Sequence, residues 1–311
     1  MTNRVISLLR NRTFIMVSAF AGGLIFSDLA KYTSSATFPA LLIALTVSIT
    51  QISIADFIPV SKTIKPIVAG VFFNYFVLGS LILLLAWWLI PEPDLWAGYV
   101  LVAAGPPGVV VIPFTYILKG DTRLTLVGLY GAFFLSIIIT PIMVSVFIGG
   151  SSVPTSRLVY AMTQYILIPL VLSRVLCFLK INSYIEKYKG TIINWCFFVV
   201  IFSVVGLNRA LFLSEPNLLI RVIIIAFMST FFLAYFVDYM GKKLSIAHPE
   251  RQSYILLATI KTAAFSSTLA LALFNEIASF PGAVVAAFYT IYFIYLGIKG
   301  DRMQSISGTP E

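Results

Sequence analysis

The chain consists largely of long apolar segments separated by short polar connections. A segment of about 18 to 25 apolar residues is long enough to cross the hydrocarbon core of a bilayer as a helix. Ten such segments follow one another, and the connections leave no room for a separate soluble domain. The predicted spans are 13–30, 38–55, 66–90, 96–118, 124–149, 158–179, 191–210, 218–240, 253–275 and 281–299. The pattern therefore predicts an all-α polytopic membrane protein with ten transmembrane helices.

The composition excludes an ordinary soluble protein. Of 311 residues, 59% are hydrophobic and 11% are charged, whereas soluble domains have roughly half and a quarter. Because so few charged residues cannot coat a soluble core, we expect the lipid bilayer to surround the chain. The net charge of +9 then indicates basic cytoplasmic loops, and we expect no nucleic-acid partner.

Basic residues are distributed unevenly between the two sets of connections. If the N-terminus is cytoplasmic, sixteen Lys and Arg residues lie on that side and four lie on the other, namely Lys31, Arg157, Arg209 and Arg221. Cytoplasmic loops are enriched in Lys and Arg. We therefore expect both termini in the cytoplasm of a chain inserted in the plasma (inner) membrane.

Ten spans divide into two halves of five, residues 1–150 and 151–311. An odd number of spans in each half makes the second half enter from the opposite face, as in the inverted repeats of secondary transporters. Spans four and nine are then counterparts. We therefore expect a 5+5 inverted repeat in which these two spans share a role.

Span four carries Gly105, Pro106, Pro107 and Gly108 near its middle. Two adjacent prolines remove two amide donors and clash with the preceding turn, so the helix must break. Broken backbone at membrane depth is tolerated where it lines a cavity or is buried in protein. A simple proline kink is the alternative, but it predicts no polar partner in the matching span.

Span nine carries Lys261, followed by the small polar residues Thr262, Ser266 and Ser267. Lys261 lies about 14 Å along a helix from Gln252, which places it near the bilayer centre. A charge in hydrocarbon is costly and is a functional hypothesis by default. The break of span nine is inferred from its symmetry with span four.

Several segments together resemble the bile acid:sodium symporter family. Residues Phe38–Phe57 are similar to its second helix, and Ala103–Asp121 to its broken crossing helix, followed by Thr140-Pro141. Leu269–Phe274 and then Phe280-Pro281-Gly282 are similar to its second crossing helix. The broader superfamily includes auxin efflux carriers and arsenite permeases. The resemblance implies a core of spans 3–5 and 8–10, a panel of spans 1, 2, 6 and 7, and transport of organic anions with sodium.

The residues that hold sodium in that family are absent from the aligned positions. Sodium requires hard oxygen ligands. The side chains at these positions are Val111 and Ile112 after the first break, Leu129 and Phe133 on span five, and Lys261 and Phe265 on span nine. The sequence therefore predicts transport without sodium, and a symporter with atypical sodium ligands is an alternative.

Three roles are open for Lys261. Its ammonium could occupy the sodium position as a built-in cation, held by carbonyls of the break with Ser266, Ser267 and Asn74 nearby. Burial could instead favour the neutral amine, so that the lysine carries a proton in each cycle. The third role is a structural plug. The sequence does not separate the first two.

The predicted substrate is a small organic anion. Half-helix N-termini at the breaks expose amides with partial positive charge, and the lysine adds to it. Thr115, Asn74 and Gln51 are further candidates for lining the path, although interhelical hydrogen bonding is the commoner use of such groups.

Other function classes have less support in the sequence. The spans contain no constellation of nucleophile and base, carboxylate pair or metal ligands, so we expect no enzyme, metal or cofactor. A carrier-like receptor or sensor without transport is the remaining alternative.

Overall fold

The computed structural model describes residues 9–50, 58–149 and 155–307, and its regular elements over these ranges are all helices. Seven helical stretches of the described residues, some of them made of consecutive helices, are long and apolar enough to cross a membrane: Ser27–Ile49, Ile64–Leu89, Thr122–Ile148, Val159–Phe178, Lys189–Leu207, Pro216–Lys243 and Glu276–Gly300. The predicted all-α, polytopic class is thereby confirmed.

We number the helices in chain order. They are α1 (Arg12–Ile25), α2 (Ser27–Thr33), α3 (Thr37–Ile49), α4 (Ile64–Leu89), α5 (Pro93–Ala104), α6 (Val111–Ile117), α7 (Thr122–Ile148), α8 (Thr155–Phe178), α9 (Asn182–Glu186), α10 (Lys189–Leu207), α11 (Arg209–Ser214), α12 (Pro216–Lys243), α13 (His248–Thr259), α14 (Ala263–Leu273) and α15 (Glu276–Ser307). Predicted spans three, five, six, seven, eight and ten correspond to α4, α7, α8, α10, α12 and α15.

The first predicted span differs from the structure. Helix α1 ends at Ile25, and the backbone of Phe26 (φ −107°, ψ 45°) leaves the helical region before α2 begins. Helix α1 packs closely against α10. A Cβ at Gly23 would lie only 2.7 Å from the carbonyl oxygen of Phe202 in α10. Small residues allow such close approach between membrane helices.

Both broken spans are present as predicted. Span four consists of α5 and α6, and span nine consists of α13 and α14. The longest of these four helices has 12 residues, or about 18 Å at the helical rise. Each of them is too short to cross a hydrocarbon core of about 30 Å alone, so these segments would cross a membrane only as pairs.

Charged residues pair at the two ends of α4. Near its start, Lys65 contacts Glu250 at 3.0 Å, and Arg251 contacts Asp238 at 2.8 Å. Beyond its other end, Arg221 contacts Glu92 at 2.7 Å.

Candidate functional site

The two breaks pair with each other through their backbones. Pro107 and Lys261 face each other in an isolated antiparallel bridge. The N–H of Gly108 donates to the carbonyl of Ile260 at 3.0 Å, and the N–H of Thr262 donates to the carbonyl of Pro106 at 3.0 Å. Peptide groups that the helices cannot satisfy are thereby satisfied inside the protein, as a membrane interior requires.

The two glycines of the first break provide the space for this pairing. A Cβ at Gly105 would lie 2.6 Å from the Oγ of Ser266, and a Cβ at Gly108 would lie 3.0 Å from the carbonyl oxygen of Lys261. The prolines interrupt the helix, and the glycines allow the second broken segment to approach it.

Lys261 is 2% exposed, and neutral groups hold its ammonium. Its Nζ donates to the carbonyls of Ala103 at 2.6 Å and Gly105 at 2.9 Å. It also lies 4.8 Å from the centre of the Tyr75 ring. These carbonyls are at the C-terminal end of α5, where the helix dipole is negative. The groups around Nζ are those that would hold a bound cation.

The first break explains why these carbonyls are available. In a continuous helix the carbonyl of Ala103 would accept from the N–H four residues later, but that residue is Pro107, which has none. The ammonium of Lys261 replaces the missing donor. Proline in span four and lysine in span nine are thus two parts of one hydrogen-bonded arrangement.

Three other predicted residues belong to the same cluster. Asn74 donates through Nδ2 to the carbonyl of Gly105 at 3.2 Å. The hydroxyl of Thr262 donates to the carbonyl of Pro107 at 2.9 Å, and the hydroxyl of Ser266 donates to that of Leu101 at 3.0 Å. All these acceptors lie on span four, so the polar residues of α4 and span nine close around the first break.

The remaining predicted residues lie elsewhere. Ser267, expected near the ammonium, donates its hydroxyl to the carbonyl of Ser279 at 2.9 Å and so joins α14 to α15. Thr115 donates to Val111 within its own helix at 2.9 Å. Gln51 lies outside the described residues.

Apart from Lys261, the residues at the positions aligned with sodium ligands form part of the apolar core. Leu129, Phe133 and Phe265 are each at most 1% exposed, and the Phe265 ring packs edge-on against Tyr165 with 5.2 Å between ring centres. In the described part of the chain, His, Cys, Asp and Glu form no group of three that could hold a metal ion.

Sequence reasoning missed three residues that support the crossing. Tyr75 lies beside the ammonium. Thr140 donates to the carbonyl of Ala104 at 2.7 Å, and the hydroxyl of Tyr289 accepts from the N–H of Lys261 at 2.8 Å. Thr140 precedes a proline in span five, a weak signal that could have identified it. In the sequence, the two tyrosines cannot be distinguished from aromatic residues that only fill the core.

A cavity of about 440 Å³ lies against the crossing. Its lining residues come from α1, α3, α9 and α10 and from α6, α14, α15 and the two breaks. Gly108, Lys261 and Thr262 are among the lining residues, but Ala103, Gly105 and Tyr75 are not. The groups that hold the ammonium therefore lie behind the cavity wall.

Comparison with known proteins gives one family. Residues 38–215 match the model of the Sodium Bile acid symporter family, which is more than half of the 311 residues. The matched range includes the first break and ends before α12. A search of curated proteins found no match.

Proposed function

The chain belongs to the Sodium Bile acid symporter family, and from this premise we propose that it transports a small organic anion by alternating access without sodium. The family and the membrane-spanning helices support a multi-pass membrane transporter in general. In the finer proposal, the ammonium of Lys261 takes the place of the coupling cation.

The observation that carries the proposal is the coordination of Nζ. Two backbone carbonyls at 2.6 and 2.9 Å and an aromatic face surround it. Carbonyl oxygens are ligands of hard cations, and half-helix C-terminal ends coordinate coupling ions in other transporters. A covalently attached cation at such a place removes the need for one from solution.

The same geometry favours a permanent cation over a proton carrier. A proton carrier must exchange protons with water during the cycle. The partners of Nζ, Ala103, Gly105 and Tyr75, lie outside the cavity lining, and the lysine is 2% exposed. The negative end of α5 and the ring of Tyr75 both attract a cation.

Three matched features support the inverted repeat. Helices α4 and α12 contain π-helical stretches, Phe72–Gly79 and Met228–Phe232. Each is followed by a broken span, and each broken span by a long helix with an internal proline, Pro141 in α7 and Pro281 in α15. The antiparallel pairing of the breaks fits two segments that enter from opposite faces.

The proposed organisation follows from this repeat. The halves are residues 1–150 and 151–311, the core comprises spans 3–5 and 8–10, and the panel comprises spans 1, 2, 6 and 7. Both termini are placed in the cytoplasm, at the plasma (inner) membrane. The cavity lies between panel helices α1, α3 and α10 and core helices α6, α14 and α15, where alternating access requires a substrate site.

The N-terminus of α14 supports an anionic substrate. Its first residues, Ala263 and Ala264, line the cavity, and Thr262 provides no side-chain cap. A helix N-terminus presents unpaired N–H groups and partial positive charge, which favour an anion.

Reconstituted vesicles test the proposal. The carboxylate for the assay is selected by a thermal-shift screen of the purified protein. We expect saturable uptake and counterflow that persist when sodium is replaced by potassium or choline. Loss of uptake without sodium would overturn the sodium-independent proposal, and acidification of the vesicle interior that depends on Lys261 would favour the proton carrier. Ligand binding without flux would indicate a carrier-like receptor.

A further inference from the structure

The lining of the cavity includes two basic residues that the proposed function does not use. Arg12 is the first residue of α1, and Lys189 is the first residue of α10. Both line the cavity of about 440 Å³. Their positions in the sequence indicate only cytoplasmic loop charges, but the packing of α1 against α10 brings them to one chamber.

Both side chains have donors that the described residues leave unused. The Nε of Arg12 and the Nζ of Lys189 are buried without a hydrogen-bond partner in the described part of the chain. Lys189 forms an ion pair with Glu186 at 3.6 Å, but this distance is longer than a hydrogen bond. Buried donors of charged groups are normally satisfied, so a ligand that accepts hydrogen bonds would complete the site.

The guanidinium of Arg12 is held in a suitable position. Its Cζ lies 4.5 Å from the centre of the Phe293 ring. An arginine stacked on an aromatic face keeps its N–H edge free to bind a carboxylate. The arrangement orients Arg12 and leaves its Nε without a hydrogen-bond partner among the described residues.

Charge and shape narrow the ligand class. Of the charged residues that line the cavity, Arg12 and Lys189 are cations, Glu186 is an anion, and Lys261 has its ammonium bonded elsewhere. The excess is one positive charge. The uncharged part of the lining includes Phe197, Ile201 and Tyr289, and the volume is that of a site for a small organic molecule.

We propose that Arg12 and Lys189 form the head-group site for an amphipathic organic monoanion whose apolar body lies against Phe197 and Tyr289. The assignment rests on the proposed function, because it names the substrate class of the same chamber. In this assignment, panel residues bind the charged group of the substrate, and Lys261 takes the place of the coupling cation.

Calorimetric titration of the full-length protein in lipid nanodiscs tests the assignment with 4-phenylbutyrate as the probe. The comparison compounds are 4-phenylbutanamide, which is neutral, and phenylsuccinate, which is a dianion. We expect the wild type to bind 4-phenylbutyrate and to bind both comparison compounds at least about tenfold more weakly. A tenfold change in Kd corresponds to the loss of one hydrogen bond to a charged group.

The chain offers a matched control for each basic residue. We expect Arg12→Gln and Lys189→Gln to raise the Kd for 4-phenylbutyrate about tenfold or more. The exposed neighbours Arg10 and Lys187 lie outside the cavity lining and near the Tyr188 ring, at 5.8 and 5.6 Å from its centre. Arg10→Gln and Lys187→Gln should leave the Kd unchanged.

The controls also separate binding from folding. Each variant is compared with the wild type for its melting temperature without probe, and Arg12→Lys should retain part of the binding because it keeps the charge. Wild-type protein that does not bind the carboxylate, or binds the amide equally well, would overturn the assignment. So would Arg12→Gln and Lys189→Gln variants with wild-type affinity. Because binding needs no flux, charge-dependent binding without counterflow would refute the transport proposal alone.

Discussion

Replacing Lys261 with methionine separates a functional cation from a structural plug. Methionine has a similar length and no charge, so Lys261→Met removes the ammonium while leaving little empty volume. The ammonium makes two hydrogen bonds, to Ala103 and Gly105, and lies over the Tyr75 ring. The substitution therefore removes the cation with little change in packing.

In the wild type, the favourable contacts of the ammonium nearly balance the cost of removing it from water. Hydrogen bonds from a charged donor are worth roughly 1.5–3 kcal/mol each, and a desolvated cation over a ring adds about 2 kcal/mol. Removing an ammonium from water costs several kcal/mol. In the variant, the carbonyl of Ala103 loses its partner at a cost of about 1–3 kcal/mol, while that of Gly105 keeps Asn74 at 3.2 Å.

We therefore expect Lys261→Met to insert, to melt close to the wild-type temperature, and to lose counterflow in vesicles. The matched control is Lys299→Met, because Lys299 lies on α15 and its Nζ makes one hydrogen bond, to Gln252 at 3.3 Å. The control should transport normally. A Lys261→Met protein that melts far below the wild type yet still transports would refute the reasoning and establish the structural plug.

Two further predictions concern the same crossing. In the Lys261→Ala variant, added methylammonium should restore part of the transport, because it can donate hydrogen bonds to the vacated carbonyls of Ala103 and Gly105. Tetramethylammonium has no N–H and should not restore transport. Equal effects of the two ions in counterflow assays would contradict a coordinated cation. Gly105→Ala places a Cβ 2.6 Å from the Oγ of Ser266 and should lower the unfolding free energy by about 1–3 kcal/mol. Adding Ser266→Ala should recover part of this loss in thermal unfolding, and strictly additive effects would argue against the contact.

The helical class and both breaks could be predicted because they depend on local chemistry. Long apolar runs must form helices in a bilayer, and adjacent prolines cannot continue one wherever they occur. The expected position of Lys261 near the bilayer centre rests on its distance along a helix, whereas α13 ends at Thr259, two residues before it. The break of span nine depended on symmetry alone, since that segment contains no proline.

The limits of local reasoning appear at α1 and Ser267. The apolar run at the N-terminus predicts one continuous span. In the structure, Gly23 packs against α10 and the helix ends at Ile25. Ser267 and Ser266 are adjacent in sequence, but their hydroxyls bond to different elements. Consecutive helical residues point in directions about 100° apart, so packing decides which of them faces the break.

By itself the sequence determined a polytopic helical protein, a proline-broken span and a buried lysine in its counterpart. Only the tertiary structure decided that Nζ bonds to Ala103 and Gly105 and that Arg12 and Lys189 share one cavity. The physical reason is the range of the interactions. Helix formation and helix breaking act within a few residues, whereas these partners lie more than 150 residues apart in the chain and meet only when the two halves pack.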